Sequence, residues 1–204
     1  MATRPDRPNA PKPAARGRPT PPKRAFPLMR VLLGGGLLLL LLGVGFFMLN
    51  RSNTVVAEKA PGGPVETLPT RDHVPDGTKV QYTTNPPTSG NHWAVPVAWG
   101  TYPVAPPDEK LVHNLEHGGV IISYNPSKVD EATLAKLKEV TRSLRSQRTC
   151  LILTPRASID QDKPIALTSW GVLATLDSYD EGAIRAFWRD HVARGPEFGE
   201  GQCG

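Results

Sequence analysis

Residues 118–156 read GGVIISYNPSKVDEATLAKLKEVTRSLRSQRTCLILTPR, and this stretch decides the fold. Its first seven residues are a short apolar run between Gly-Gly and Asn-Pro, which predicts a buried strand. Ser127 with Asp130 three residues on has the form of a capping box. Leu134, Leu137, Thr141 and Leu144 then recur at helical spacing. They predict a helix over 128–147, closed by a basic last turn from Arg142 to Arg148 that suits the helix dipole. CLILTPR, residues 150–156, is a second strand. The connection between the two strands is long enough for a right-handed parallel crossover.

Downstream, PIALTSWGVLATL at 164–176 reads as a third strand with a break point at Gly171, hairpin-paired to 150–156. Asp180 begins a C-terminal helix with Ile184, Phe187, Trp188, His191 and Val192 on one face. The order β-α-β-β-α makes this an α/β (α+β) chain, a small sandwich with a mixed sheet. Upstream, residues 73–110 are rich in proline and poor in periodic runs. They predict a loop-rich lead-in with one short strand near Lys79–Thr83.

The rest of the 204-residue chain is organised by charge and hydropathy. Of the 24 Lys/Arg and 19 acids, residues 1–30 hold eight and one. The pI near 9.4 is therefore a property of the tail, and a basic nucleic-acid-binding domain is excluded as a reading. Residues 1–27, with eight prolines and almost nothing apolar, form a disordered basic tail. VLLGGGLLLLLLGVGFFML, residues 31–49, is 19 residues without a charge. At 1.5 Å per residue it spans roughly 30 Å, the thickness of a hydrocarbon core. Residues 28–50 are accordingly assigned as one transmembrane helix that partners the lipid bilayer and is too long for a cleaved signal sequence. Val55-Val56-Ala57 keeps a cleavage site as the alternative. The positive-inside rule places the N-terminus in the cytoplasm and the C-terminal part outside. Residues 51–72, with Pro-Gly-Gly-Pro at 61–64, are a linker, and residues 73–204 form one extracytoplasmic domain.

Two short constellations carry the candidate chemistry. In LVHNLEHGG, residues 111–119, His113 and His117 lie four apart. On a helical turn their imidazoles reach one ion; on a strand they stand about 13 Å apart and do not. Metal binding therefore requires a helical turn here, stopped at Gly118. The string also fits H-x-x-E-H, with Glu116 as base, but too little chain surrounds it for a zinc peptidase of that type. In YTTNPPTSGNHW, residues 82–93, Pro-Pro and Ser-Gly stiffen a loop that aims His92. His92, His113 and His117 then offer three nitrogens to zinc or copper. Glu116 is a fourth ligand, a group that orients one, or a base. The competing reading makes these histidines buried, hydrogen-bonded structural groups. His191 reads as a packed histidine with a fourth-ligand alternative, and His73 as solvated at the linker edge.

Cys150 and Cys203, the only cysteines, predict one disulfide outside the cytoplasm, with free thiols as the alternative. Trp93, Trp99 and Tyr102 line a groove or close over the sheet. Lys138, Arg142 and Arg145 form a basic helix stripe, either solvated or facing headgroups. No acyl-transfer triad is marked, since Ser89 lies in no nucleophile elbow.

The strings YTTNPPTSGNHW, WGTY and LVHNLEHGGVIISYNP, with TSWG at 168–171 and Pro-Glu at 196–197, resemble the bacterial family called domain of unknown function 3105. The resemblance runs from 73 to about 197 and includes the layout of one N-terminal anchor before the domain. It implies no reaction, substrate or cofactor. It makes His92, His113, Glu116 and His117 motif positions. Two functions from different classes remain: a metal-binding extracytoplasmic domain, or a non-catalytic cell-envelope interaction module whose partner the sequence does not specify.

Overall fold

The computed structural model describes residues 60–199 and 202–203. The basic tail, the apolar segment 28–50 and the first part of the linker lie outside the described residues. Among the described residues no helix is long and apolar enough to cross a membrane.

The quoted stretch folds as a strand–helix–strand unit. Strand β5 (Val120–Tyr124) and strand β6 (Leu151–Pro155) pair in parallel, with Val120 opposite Leu151. Between them helix α2 runs over Glu131–Arg145, with Asp130 as N-cap accepting from the Thr133 N–H at 2.7 Å. Side chains alternate across the sheet. Val120, Ile122, Leu151 and Leu153 face a large core with Leu137, Leu144, Ile184 and Phe187. Ile121 and Ile152 face a smaller one with Leu111 and Leu115. Both faces are covered, which is why the two strands read as continuous apolar runs.

The third predicted strand is corrected to two. β7 (Ile165–Ser169) and β8 (Val172–Leu176) are an antiparallel hairpin turning at Trp170–Gly171, where Gly171 has φ +67°. The hairpin is therefore internal to 164–176. β7 pairs antiparallel with β5, with Ile121 opposite Thr168, and not with β6. The sheet runs β1-β8-β7-β5-β6-β4, with β1 at Gly63–Pro64 and β4 at Gly100–Thr101 on its edges. It is mixed, as the sequence predicts. The C-terminal helix α3 (Glu181–His191) is capped by Asp180 and completes the large core.

The lead-in holds no strand at Lys79–Thr83. Instead β2 (His73–Val74) and β3 (His92–Trp93) form a two-residue parallel ladder apart from the main sheet. Helix α1 (Asp108–Glu116) covers the smaller core and ends in the His/Glu string. Trp99 and Tyr102 pack on that core. Trp93 does not: the Lys79 and Lys110 ammonium groups lie over its ring, 5.9 and 5.8 Å from its centroid.

Candidate metal centre

Local sequence explains why α1 stops where the site needs it. The Gly118 N–H donates to the Leu115 carbonyl at 3.0 Å, and the Gly119 N–H to the Asn114 carbonyl at 2.9 Å. That pair of bonds is a Schellman motif, which requires a left-handed residue at Gly118, here at φ +82°. The last helical turn thus presents His113, Glu116 and His117 on one side, and the negative end of the helix dipole lies beneath them. The C-terminal segment closes over the same end. The Ala193 N–H donates to the Gly118 carbonyl at 2.8 Å and the Glu197 N–H to the Glu116 carbonyl at 3.1 Å.

The β2–β3 ladder faces this turn. In parallel register His73 stands opposite His92, and aligned residues of paired strands share a face. Asn91 and Asp72 lock the register: Asn91 Oδ1 accepts from the Asp72 N–H at 2.8 Å, and the Asp72 carbonyl from the His92 N–H at 3.1 Å. The rings then collect. His73 stacks on His113 with centroids 5.0 Å apart, and His92 lies edge-on to both, at 5.0 and 4.9 Å.

One ligand atom from each of His73, His92, His113 and Glu116 lies within 4.8 Å of the others. His92, His113 and Glu116 are buried; His73 forms the exposed side. His117 falls into a neighbouring group with Glu116 and Glu197. The structure therefore draws in His73, which the sequence places at a solvated linker edge. His191 belongs to neither group and packs on Phe187, centroids 4.5 Å apart.

Hydrogen bonding fixes which nitrogens face inward. His92 Nδ1–H donates to the Gly90 carbonyl at 2.8 Å, and His113 Nδ1–H to the Trp93 carbonyl at 2.7 Å. Both Nε2 atoms then face the cluster, where the neutral form of each ring offers a lone pair, as carbonyl-anchored metal ligands do. His92 Nε2 lies 2.9 Å from Glu116 Oε2. Neither Glu116 oxygen has a hydrogen-bond partner, although the side chain is 1% exposed. Arg71 Nη1 approaches Oε1 at 3.6 Å, from the solvent side. The 2.9 Å contact is a His92–Glu116 ion pair when His92 is protonated; with His92 neutral, the buried carboxylate and the imidazole lone pairs form an electron-rich cluster that a cation stabilises. Burial holds the His113 pKa below the ordinary histidine value, opposed by the Trp93 carbonyl and reinforced by His92, His117 and His73. That favours the neutral, ligating form.

His117 holds a proton at the edge of the cluster. Its Nε2 is 2.8 Å from His113 Nε2, a distance that demands one proton between two lone pairs. His113 keeps its own proton on Nδ1, so the shared proton belongs to His117. On its other side His117 Nδ1 lies 3.0 Å from the Gln202 amide Nε2 and 3.3 Å from the Glu197 carbonyl. An ion held by His113 Nε2 would use the lone pair that His117 caps. A cavity of about 240 Å³, lined by Pro96, Val97, Trp99, Asn114 and Gln202, opens beside His117.

Cys150 and Cys203 sit at disulfide distance, with Cα atoms 5.0 Å apart, and tie the end of the chain to the start of β6. No curated protein and no solved structure matches the chain. A family model described as "Protein of unknown function (DUF3105)" matches residues 73–204. The match takes in both histidine strands, the α1 turn and the C-terminal closure, and the chain belongs to that family.

Proposed function

We propose that the domain binds a transition metal ion, zinc or copper, through His73, His92, His113 and Glu116. The observation that carries this reading is the buried Glu116 carboxylate, without an aligned hydrogen bond, 2.9 Å from the inward-facing His92 Nε2 and grouped with His73 and His113. Three imidazoles and one carboxylate are a donor set that zinc and copper both accept. The ion would supply Lewis acidity or redox chemistry. This chain's residues would orient it, through the Gly90 and Trp93 carbonyls that anchor the His92 and His113 rings.

The domain would work outside the cell membrane as the extracytoplasmic part of a single-pass protein. The uncharged run 31–49 and the excess of basic residues before it support that placement. The test is thermal denaturation of the full chain in detergent after chelation, with zinc or copper added back. Either ion should raise the melting temperature of wild type in a concentration-dependent way and leave the His92→Ala/His113→Ala variant unmoved. An equal response of both proteins, or none in wild type, would refute the assignment.

A further inference from the structure

We infer that a second cation position adjoins the first and that Glu116 bridges the two, an inference that rests on the metal-binding reading above. Glu116 turns its two oxygens to different neighbours. Oε2 faces His92 and the inner group, while Oε1 faces Arg71 at 3.6 Å. On that outer side His117 and Glu197 each bring a ligand atom within 4.8 Å of the one from Glu116. Glu197 is placed there by the bond from its own N–H to the Glu116 carbonyl. A carboxylate with both oxygens buried and without hydrogen bonds, set between two groups of donors, has the disposition of a bridging ligand.

The outer position already attracts positive charge. One nitrogen, Arg71 Nη1, lies 3.6 Å from Glu116 and 3.7 Å from Glu197 Oε1, too far for a hydrogen bond to either. Its side chain is 48% exposed, and a guanidinium held this loosely is weakly bound. Arg71 is thus a displaceable placeholder. A divalent ion entering between Glu116, His117 and Glu197 replaces it, and the guanidinium swings into water. The inner ion, with three imidazoles, fills first; the outer one, with one imidazole and an exposed carboxylate, fills second.

Equilibrium dialysis of the full chain in detergent against buffered free zinc reads both steps. Wild type should bind one zinc, then a second at higher free zinc. Glu197→Gln should lose the second step and keep the first. Arg71→Gln should keep both and shift the second at least tenfold toward lower free zinc. Saturation at one zinc in wild type and in Arg71→Gln would overturn the bridge while leaving the inner site standing. A second step that persists unchanged in Glu197→Gln would also overturn it, since that ion would sit elsewhere. No bound zinc at any concentration would remove the parent reading and this inference together.

Discussion

His73 stands opposite His92 in a parallel ladder only two residues long, and this register brings a residue next to the linker into the His/Glu cluster that could hold a metal. The ladder makes the site depend on the chain that enters the domain as much as on its core. His73→Ala should therefore weaken zinc binding by at least tenfold in equilibrium dialysis. The fold should persist, because this side chain is exposed. Unchanged affinity would show that His73 is a bystander.

With His92 neutral, Glu116 is a buried charge whose cost the ion-free protein bears. Glu116→Gln removes a buried charge and gives His92 Nε2 an amide donor. Without metal, the variant should gain about 1–2 kcal/mol of stability in urea unfolding, while losing zinc binding. A destabilised variant would mean that the carboxylate is already satisfied by groups around it.

Gly118 is required on two counts. Its φ of +82° suits glycine, and a Cβ there would stand 2.8 Å from Ala193 Cα and 2.9 Å from Phe198 Cδ2. Gly118→Ala should cost about 1–3 kcal/mol in denaturant unfolding and loosen the turn carrying His113, Glu116 and His117. Retention of full stability and zinc affinity would contradict the Schellman account.

The ion-free domain should be sensitive to mild acid. Burial lowers the pKa of both His113 and His191; Arg194 adds to the effect at His191 and Asp190 opposes it. A histidine with a depressed folded-state pKa binds fewer protons folded than unfolded. Stability is then complete above the unfolded value near 6.5 and is lost as pH falls toward the folded value. The urea midpoint should hold steady from pH 8 to 7 and decline below 6.5, with a shallower decline in His191→Gln. A midpoint that rises on acidification to pH 5.5 would contradict this.

Breaking the Cys150–Cys203 pair should loosen the outer wall of the site. Cys150→Ser/Cys203→Ser should lower stability by about 2–4 kcal/mol, read from urea unfolding under oxidising conditions. Gln202, which lies beside His117, is released with the tail. An unchanged midpoint would show that backbone bonds from 193 to 197 already hold the segment.

The core of the domain was legible because its signals are periodic. The run 118–124, the helical spacing from Leu134 to Leu144 and the face from Ile184 to Val192 each report burial directly. The α1 turn was legible as a requirement, since imidazoles four residues apart come together only on a helix. His73 was not legible. Nothing at residues 73–74 or 92–93 has strand periodicity, and two-residue ladders are set by local bonds such as His92 N–H to the Asp72 carbonyl and Asp72 N–H to Asn91 Oδ1. The available signal was composition alone: five histidines in 204 residues, four of them lying between 73 and 117. The β5–β7 pairing was missed for a related reason. Residues 156–164 are long enough to carry the chain past a neighbouring strand, and apolar runs do not reveal their partners.

The most direct test is the metal content of the full chain, purified in detergent without chelator or histidine tag, beside Glu116→Gln. The account predicts near-stoichiometric or higher zinc or copper in wild type and a loss of at least tenfold in the variant. Neither metal in wild type, in a protein that is folded and takes up none when zinc or copper is supplied, would contradict it and make these histidines structural.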